Sequence, residues 1–430
     1  MLETLTYKEM KVLLINTYSG GGGAAVAARR LLEALDAIGV EARLLIATDG
    51  AQVDADVITP YHKGRWGKWA WKVDFVTERL SLLPHVGYER TRLFKYSPDS
   101  GSDVSNHPWV AWADVIHLHW IQHAFVSLRG IEALVATGKP LLWSLHDLWP
   151  ITGGCHIPYF SANGKVERCA KFHHHCTACP ILSGGRPRDL SWRQYWRKSK
   201  LPYDKIHFLA VSRAVADEVR TSVLARYSDV SILPNMIDPN IFRPLSGEHP
   251  EGFRVLFVAA RPDDPIKGLP LCKEILCKAC DRSEAFAKYA TFVCVGVPKD
   301  NQALADFPVA VEAMGAVHST EELVRLYNSA RVTLSTSLFE TFGQTLLESV
   351  ACGTPALAFE VGGISDIILS ENGLLIPPYD TSAMAQALLH LFEHPEEWAQ
   401  KERVSATASR FYAETVAEQA RAIYASMLSE

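Results

Sequence analysis

The chain has 430 residues, a formal net charge of −5 at pH 7, 48% hydrophobic and 21% charged residues. This composition is that of a folded globular protein, and the length exceeds one ordinary hydrophobic core, so we predict two domains. The acidic net charge argues against a nucleic-acid partner, and no apolar run reaches the about 18–20 residues that cross a bilayer.

The first half of the chain alternates strand-like and helical patterns. Short apolar runs lie at 11–17, 42–47, 114–119, 140–146 and 206–212, with helical patterns at 23–38, 126–137 and 213–224. This alternation predicts a parallel, doubly wound sheet. The N-terminus lacks the features of a signal peptide, so we expect a cytoplasmic protein.

A glycine-rich loop follows the first predicted strand and leads into the first helix. Gly20, Gly22 and Ala25 fit the G-x-G-x-x-G/A pattern of dinucleotide-binding proteins, and Asp49 ends the second strand pattern. Because of this loop, the sequence also allows a second hypothesis, an NAD-linked oxidoreductase that would bind its cofactor at Gly20–Gly23.

Two stretches of the first half mix Lys and Arg with Trp and Tyr, at 61–83 and 186–200. Such stretches can rest on an anionic membrane surface or guide a lipid-linked acceptor. The alternative is a pair of ordinary amphipathic helices whose Trp residues pack inward. The sequence leaves both open, and with them a peripheral position on the inner face of the plasma membrane.

Histidines stand near the ends of two predicted strands. His117 and His119 alternate with apolar residues, so they share one face of a strand, and His119 is nearer its carboxyl end. His146 and Asp147 end another strand. His146 is either a buried structural histidine or a residue of a ligand site.

A cysteine-rich insert occupies 153–180. Cys155, Cys169, Cys176 and Cys179 end in a C-x2-C pair, a spacing used by metal ligands, although the gaps before it are irregular for a zinc finger. The insert is consistent with a structural zinc held by these four thiolates. The alternatives are free thiols or a disulfide.

A Pro- and Asn-rich segment at 232–245 predicts a linker, with the first domain ending at 233 and a second at 234–409. The second half then repeats the alternation. Strand patterns lie at 254–260, 291–297, 309–315, 331–337, 354–360 and 373–378, and helical patterns at 269–286 and 319–328. We expect the final helix, 410–430, to pack back on the first domain.

Charged residues follow two strands of this second half. Arg261 and Lys267 flank a Pro-containing turn, where a guanidinium fork and a point charge can meet one diphosphate. Glu340 ends a strand, and Gly343 opens a helix whose N-terminal amides suit phosphate. Glu348 follows two turns into that helix, placed to accept ribose hydroxyls.

The segment ETFGQTLLE resembles the E-x7-E motif of retaining glycosyltransferases of the GT-B fold, family 4. The similarity extends over most of the chain, including LPNMIDPNIFRP, the Arg261/Lys267 loop and NGLLIPPYD. One departure is VGGISDII, where the family often has Pro and Glu at the positions of Ser365 and Asp366. HDLWPITGGC and the cysteines resemble the subset that builds bacterial surface polysaccharides of colanic-acid or capsule type.

The resemblance implies an α/β protein of GT-B fold, two doubly wound Rossmann-like domains facing each other across a cleft. The N-terminal domain would bind a saccharide or lipid-linked oligosaccharide acceptor, and the C-terminal domain a nucleoside-diphosphate sugar. The catalytic candidates are Glu340, His146, Arg261 and Lys267, with Glu340 and His146 beside the donor sugar.

Further donor contacts are expected from Gly21, Gly22, Arg261, Lys267, Phe342, Gly343, Gln344, Thr345 and Glu348. The implied reaction is sugar transfer with retention of configuration, in which the leaving phosphate takes the acceptor proton and no catalytic metal acts. A sugar-nucleotide epimerase or a phosphorylase of the same fold is the other reading that the resemblance allows.

Overall fold

A computed structural model describes residues 10–48, 56–85, 100–162, 165–183, 185–246, 252–298 and 301–429. The chain divides into two compact units. The first comprises Met1–Met236 and Ala413–Glu430, and the second comprises Ile237–Tyr412. Asp49, the residue expected at the end of the second strand pattern, lies outside the described residues.

The first unit is built on a parallel sheet of seven strands. Its strands and an inserted hairpin are β1 (Lys11–Ile15), β2 (Glu41–Ile46), β3 (Ile58–Pro60), β4 (Val115–Leu118), β5 (Leu141–Leu145), β6 (Tyr159–Ala162), β7 (Lys165–Arg168), β8 (Ile206–Ala210) and β9 (Val230–Ile232). The sheet order is β3-β2-β1-β4-β5-β8-β9, and β6 pairs antiparallel with β7 outside it.

Helices connect these strands. They are α1 (Gly23–Ala37), α2 (Gly64–Leu82), α3 (Pro108–Trp112), α4 (Leu128–Ala136), α5 (Leu190–Lys198) and α6 (Arg213–Thr221). The buried residues of α1 recur every three or four positions, which is the spacing of a helix that packs one face on a sheet.

The second unit has a parallel sheet of six strands. In chain order its elements are β10 (Phe253–Val258), α7 (Leu269–Cys280), α8 (Glu284–Tyr289), β11 (Ala290–Val295), β12 (Ala310–Gly315), α9 (Thr320–Ser329), β13 (Val332–Ser335), α10 (Gln344–Ala351), β14 (Ala356–Phe359), β15 (Gly373–Ile376), α11 (Thr381–Glu393) and α12 (Lys401–Ala406). The sheet order is β12-β11-β10-β13-β14-β15.

The last helix, α13 (Ala413–Leu428), belongs to the first unit. Val416, Ala417, Ala420 and Tyr424 are buried in the same apolar cluster as residues of β1, β2 and α1. A segment that follows the second unit in sequence thus completes the core of the first.

The two parallel sheets, each with strands added on both sides of a central pair, confirm the predicted fold class. One predicted helix is wrong. The pattern at 269–286 is divided into α7 and α8, because the Ser283 hydroxyl accepts the N–H of Phe286 at 3.1 Å and starts a new helix.

No helix in the described ranges is both long and apolar enough to span a bilayer.

Candidate functional site

The central strands of the second unit define a switch point. Strand β10 pairs with both β11 and β13, and the chain leaves β10 towards one edge of the sheet and β13 towards the other. In open α/β sheets, ligands bind at the carboxyl ends of such strands. The segment after β10 carries Arg261 and Lys267, and the segment after β13 carries Glu340 and Gly343.

Hydrogen bonds hold these two segments together. The Thr336 hydroxyl donates to the carbonyl oxygens of Lys267 and Gly268, at 3.0 and 2.9 Å, and Leu338 N donates to Ile266 O at 2.7 Å. Gly268 has φ 68°, and a Cβ there would lie 2.2 Å from Thr336 O. Only glycine fits this join, since both the backbone angle and the approach exclude a side chain.

Lys267 and Glu340 come together across this join. Lys267 Nζ lies 2.5 Å from Glu340 Oε1, which also accepts a hydrogen bond from the Ser337 hydroxyl at 2.9 Å. The two charged side chains remain 31% and 22% exposed. Behind them, Gly363 N donates to the backbone oxygen of Glu340 at 3.0 Å. The site therefore presents a positioned cation and carboxylate that solvent can still reach.

Helix α10 begins beside this pair. Gly343, its N-cap, has φ 107°, and its carbonyl accepts the N–H groups of Leu346 and Leu347. The amides of Gln344 and Thr345 precede these first intrahelical bonds, at the positive end of the helix dipole. Such an end suits a phosphate.

Glu348 lies further along α10 and is only 7% exposed. Its Oε2 accepts a hydrogen bond from the Tyr327 hydroxyl at 3.2 Å, and Gln344 Nε2 lies 3.4 Å from its Oε1. A buried carboxylate needs such donors, which also fix its orientation.

Arg261 is paired within its own loop. Its Nε and Nη2 atoms lie 3.2 and 3.3 Å from the two carboxylate oxygens of Asp263, and its side chain is 35% exposed. The structure thus places Lys267 against Glu340, whereas the Arg261 fork is oriented by Asp263.

The first unit holds a stack of histidines at the ends of β4 and β5. His119 Nδ1 lies 2.9 Å from His146 Nε2, with ring centroids 5.2 Å apart. His117 stacks below at 4.2 Å and bonds to the hydroxyls of Tyr424 and Ser144, at 2.7 and 2.8 Å. His119 Nε2 is buried without a hydrogen-bond partner among the described residues.

Burial sets the charge of these rings. It lowers the pKa of His117 to about 3 and that of His146 to about 4, and it lowers the pKa of His119 well below its usual value. All three are therefore neutral at pH 7, so each ring carries one N–H donor and one acceptor nitrogen. A neutral His146 can donate a hydrogen bond without adding charge.

Asp147, next to His146, is a buried carboxyl held by donors. Its oxygens accept hydrogen bonds from Trp120 Nε1 at 2.8 Å, from Trp149 N at 2.9 Å and from the Gln122 amide. Burial raises its pKa, and the hydrogen bonds from Trp149, Trp120 and Gln122 oppose that rise. Asp147 therefore fixes the turn that follows His146.

The glycine loop after β1 leads into α1, with Gly22 as its N-cap and Gly21 at φ 81°. A Cβ at Gly20, Gly21, Gly22 or Gly23 would have nothing within 4 Å. The glycines thus leave open space beside the backbone at the N-terminus of α1. This loop follows β1, which pairs with β4 in the sheet.

The four cysteines of the insert line one small pocket, together with Gly153, Lys171, Phe172, Thr177 and Ser191. None forms a disulfide. As placed, no three His, Cys, Asp or Glu side chains in the described part of the chain are close enough to hold a metal ion.

Helix α2 has two unlike faces. On one face Trp71 Nε1 donates to His123 O at 3.1 Å, and buried Glu78 accepts the N–H of Ala124. The other face exposes an apolar stripe at three- and four-residue steps, Trp66, Trp69, Val73, Val76 and Leu80, which Leu83 continues just after the helix. In the second basic stretch, Tyr195 and Lys198 of α5 are buried, whereas Trp196 of the same helix is exposed.

Three site residues have no clear signal in the sequence. Asp263 is an acid in a turn, Ser337 a hydroxyl at the end of a strand, and Tyr424 reaches His117 from 307 positions away. The first two lie within four residues of predicted site residues, but nothing local marks Tyr424.

Two family models match the chain. The model described as Glycosyltransferase Family 4 matches residues 21–241, just over half of the chain, and that described as Glycosyl transferases group 1 matches residues 252–394.

Similar proteins include D-inositol 3-phosphate glycosyltransferases. That of Acidothermus cellulolyticus is 27% identical over 47% of this chain and 49% of its own length. That of Paenarthrobacter aurescens is 25% identical over 68% of each chain. The first match thus spans about half of the relative's length.

Solved structures share the fold. Sucrose-phosphate synthase from Thermosynechococcus elongatus superposes with a TM-score of 0.63 at 17% identity, over 98% of this chain and 99% of that one. Anabaena Alr3699/HepE, solved in complex with UDP and glucose, gives 0.59 at 16% identity, over 97% and 100%.

Proposed function

The chain belongs to glycosyltransferase family 4, and from this premise we propose that it transfers a sugar from a nucleoside-diphosphate sugar to a saccharide hydroxyl with retention of configuration. The observation that carries the donor side is the Lys267–Glu340 pair beside the first turn of α10. A cation, a carboxylate and free helix amides at one switch point fit a diphosphate joined to a sugar.

In this proposal Lys267 changes partner when the donor binds. Its ammonium moves from Glu340 to the diphosphate, where the amides of Gln344 and Thr345 add further donors. Glu340 is then free to accept hydroxyls of the donor sugar. In both states the ammonium faces an anionic group and the carboxylate accepts hydrogen bonds, so neither charge is left without a polar partner.

Arg261 and Glu348 complete the donor contacts. Arg261, oriented by Asp263, offers its remaining N–H groups to the phosphate. Glu348, oriented by Tyr327, accepts the ribose hydroxyls. The backbone of Phe342 and Gly343 lies at the turn that separates Glu340 from the helix.

The reaction needs stabilisation of charge rather than a separate base. As the bond from the sugar to the diphosphate breaks, negative charge grows on the leaving oxygen, where Lys267 and the helix amides stabilise it. That oxygen takes the proton of the attacking hydroxyl on the same face of the sugar, which retains the configuration. No metal is required for these steps.

The first unit supplies the acceptor side in this proposal. Neutral His146 serves as a hydrogen-bond donor to a sugar, and His119 fixes its ring. Gly21 and Gly22 leave room beside the backbone for a phosphate or a sugar. We place the acceptor among saccharides or lipid-linked oligosaccharides, in assembly of a surface polysaccharide of colanic-acid or capsule type.

The apolar stripe of α2 supports a peripheral position on an anionic membrane. Trp66 and Trp69 are 81% and 61% exposed, and Arg65, Lys68 and Lys72 follow one edge of the stripe. A helix of this kind lies in the membrane surface with its apolar side among the acyl chains. We expect the protein to float with anionic vesicles.

A flotation assay tests this position. Replacing both Trp66 and Trp69 with Ser should abolish flotation, whereas Tyr227→Ser, which removes another exposed aromatic ring, should not. High salt should weaken binding of the unchanged protein because it screens the basic edge. Absence of flotation at low salt would refute the proposed position.

The transferase proposal is tested by ligand binding and product stereochemistry. Thermal-shift measurements with UDP, GDP, ADP, NAD⁺ and NADH should show stabilisation by one nucleoside diphosphate. NMR of the product formed from the matching sugar nucleotide should then show the donor's anomeric configuration. Stabilisation by NAD⁺ or NADH alone would favour the oxidoreductase, and a sugar nucleotide altered without transfer would favour an epimerase.

A further inference from the structure

The insert between β5 and β8 gathers four cysteines that the transfer reaction does not use. Cys155 precedes the β6–β7 hairpin, Cys169 follows it, and Cys176 and Cys179 lie in the next loop. All four line the same pocket, to which no carboxylate and no imidazole contributes. Cys155, Cys176 and Cys179 are less than a tenth exposed.

Backbone amides point at two of these sulfur atoms. Gly153 N lies 3.1 Å from Cys176 Sγ, and the N–H groups of Ile181 and Leu182 are hydrogen-bonded to the Cys179 sulfur. A metal-bound thiolate is a stronger hydrogen-bond acceptor than a neutral thiol, so these N–H groups fit sulfur atoms that serve as metal ligands. Donors of this kind orient the ligands of a metal from outside its coordination shell.

Gly153 has a steric reason to lack a side chain. A Cβ at this position would lie 2.5 Å from Cys176 Cβ and 2.9 Å from its Sγ. The backbone of the first loop is therefore packed directly on the third cysteine, which brings the two ends of the insert together.

Lys198 holds the segment before Cys155 against α5. This residue of α5 is fully buried, and its Nζ donates to the carbonyl oxygens of Trp149 and Thr152. The loop that carries Cys155 is thereby fixed to α5 next to the cluster.

We propose that Cys155, Cys169, Cys176 and Cys179 bind one structural Zn²⁺. Four thiolate ligands in tetrahedral geometry are typical of a structural zinc, with Zn–S bonds of about 2.3 Å. Binding replaces the four thiol protons with the metal, releases those protons to solvent and transfers no electrons.

The sulfur atoms must draw together for this, because as placed no three of them meet at metal-binding distance. Each cysteine has a single side-chain torsion, so rotation about Cα–Cβ moves the sulfur while the backbone stays in place. The pocket that the four residues already share is the space into which the sulfurs would turn.

The metal would fix the turn after β5. Leu148 N donates to His156 O at 2.9 Å, and the Thr152 hydroxyl donates to Cys155 O at 2.5 Å. Through these bonds the insert holds the segment that directly follows His146 and Asp147. The zinc would therefore act on the acceptor side as a positioning device, without contact with substrate.

Metal analysis tests the proposal on the unmodified protein. Protein purified without chelator should contain about one zinc per chain by plasma mass spectrometry, and a thiol-blocking mercurial should release it to a chromogenic chelator. After exchange with Co²⁺, a thiolate-to-cobalt charge-transfer band and intense visible bands should show tetrahedral sulfur ligation.

Paired variants supply the control. Cys176→Ser with Cys179→Ser should lose the zinc, and Cys277→Ser with Cys280→Ser should keep it. The second pair has the same C-x2-C spacing but lies on α7 in the other unit.

Two results would overturn the proposal. One is a reduced wild-type protein that holds no zinc and takes up neither Zn²⁺ nor Co²⁺. The other is an intact mass lower by two hydrogens per cysteine pair, which would show disulfides instead. Both are measured on the unmodified chain, so they stand even where the first pair of substitutions prevents folding.

Discussion

Lys267 should contribute little to the free energy of folding but much to the free energy of ligand binding. Its ammonium is paired with Glu340, yet nearly a third of the side chain is exposed. An ion pair of this exposure contributes about 0–1 kcal/mol to folding, because water screens it. Contact with a diphosphate would be a charge-assisted hydrogen bond, worth about 1.5–3 kcal/mol.

Replacing Lys267 with Met should therefore weaken binding of the nucleoside diphosphate by about 10- to 150-fold while leaving the melting temperature nearly unchanged. Isothermal titration and thermal melting measure the two effects separately. Lys288→Met, at an exposed lysine of α8, is the control and should alter neither. Unchanged affinity in the Lys267 variant would contradict the assignment.

The histidine stack predicts how stability depends on pH. Burial lowers the pKa of His146 from 6.5 to about 4, so between these values the unfolded chain binds a proton that the folded chain does not. Stability is therefore complete above pH 6.5 and falls as the pH drops towards 4. From pH 7 to pH 5 this histidine alone should remove about 2 kcal/mol.

Urea unfolding at pH 7 and pH 5 checks this prediction. His146→Gln should reduce the loss of stability between the two pH values by about 2 kcal/mol, since glutamine does not titrate. His318→Gln, at an exposed histidine, is the control for loss of an imidazole. An equal loss in wild type and the His146 variant would show that burial does not hold this ring neutral.

At the scale of elements, the loops after β10 and β13 show a difference between the predicted and the observed strand ends. The local sequence predicts the strand, but contacts between the two loops determine where it ends. The strand pattern at 331–337 runs two residues beyond β13, because Thr336 and Ser337 leave the sheet to bond with Lys267 O and Glu340. The predicted strand thus included Thr336 and Ser337, two polar residues that in the structure lie beyond the strand and belong to the candidate site.

Gly268 should tolerate no side chain. Gly268→Ala should weaken nucleotide binding and lower stability, because the new Cβ meets Thr336 O. Gly315→Ala is the matched control. Gly315 has φ 67° against 68° for Gly268, but nothing lies within 4 Å of its Cβ position.

Both substitutions strain a left-handed backbone, which costs about 1 kcal/mol. Only Gly268→Ala adds the clash, so its free energy of unfolding in urea should be clearly lower than that of Gly315→Ala. Titration with the nucleoside diphosphate should show a loss of affinity in Gly268→Ala alone. Equal effects of the two variants would mean that the join between the loops is not rigid.

For the whole molecule, the alternation of apolar runs was sufficient to predict two parallel sheets, because buried parallel strands are apolar throughout. Eleven predicted strand runs lie on strands of the structure. The three-residue edge strands β3 and β9 were missed, as was the β6–β7 hairpin, since such short segments carry no period.

For the candidate site too, some residues could be predicted from the sequence and others could not. The sequence pattern and the family resemblance pointed to Lys267, Glu340 and Gly343, which the structure brings to one switch point. The pairing of Arg261 with Asp263 and of His117 with Tyr424 depends on tertiary packing, and no spacing in the sequence reports it.

The last helix should be essential to the first unit. Val416 and Tyr424 are fully buried there, and each such side chain contributes about 1.5–3 kcal/mol. This is a large share of the about 5–15 kcal/mol that stabilises a typical domain. Residues 1–236 alone should aggregate or melt at lower temperature than the same segment joined to 413–430.

Circular dichroism melts and size-exclusion chromatography of these two proteins measure the difference. Residues 237–412, which contain the complete second sheet, serve as the control and should fold without α13. A segment 1–236 as stable as its fusion would show that α13 is dispensable.

The parallel bridge between Ile237 and Tyr412 has a further consequence. The first and last residues of the second unit lie side by side, with Ile237 N bonded to Phe411 O at 2.8 Å. In topological terms the unit is an insertion with adjacent ends, the arrangement in which domains are exchanged most easily. Under the proposed function, a chimaera cut at 236/237 and 412/413 should combine another enzyme's sugar-nucleotide preference with the acceptor preference of this chain.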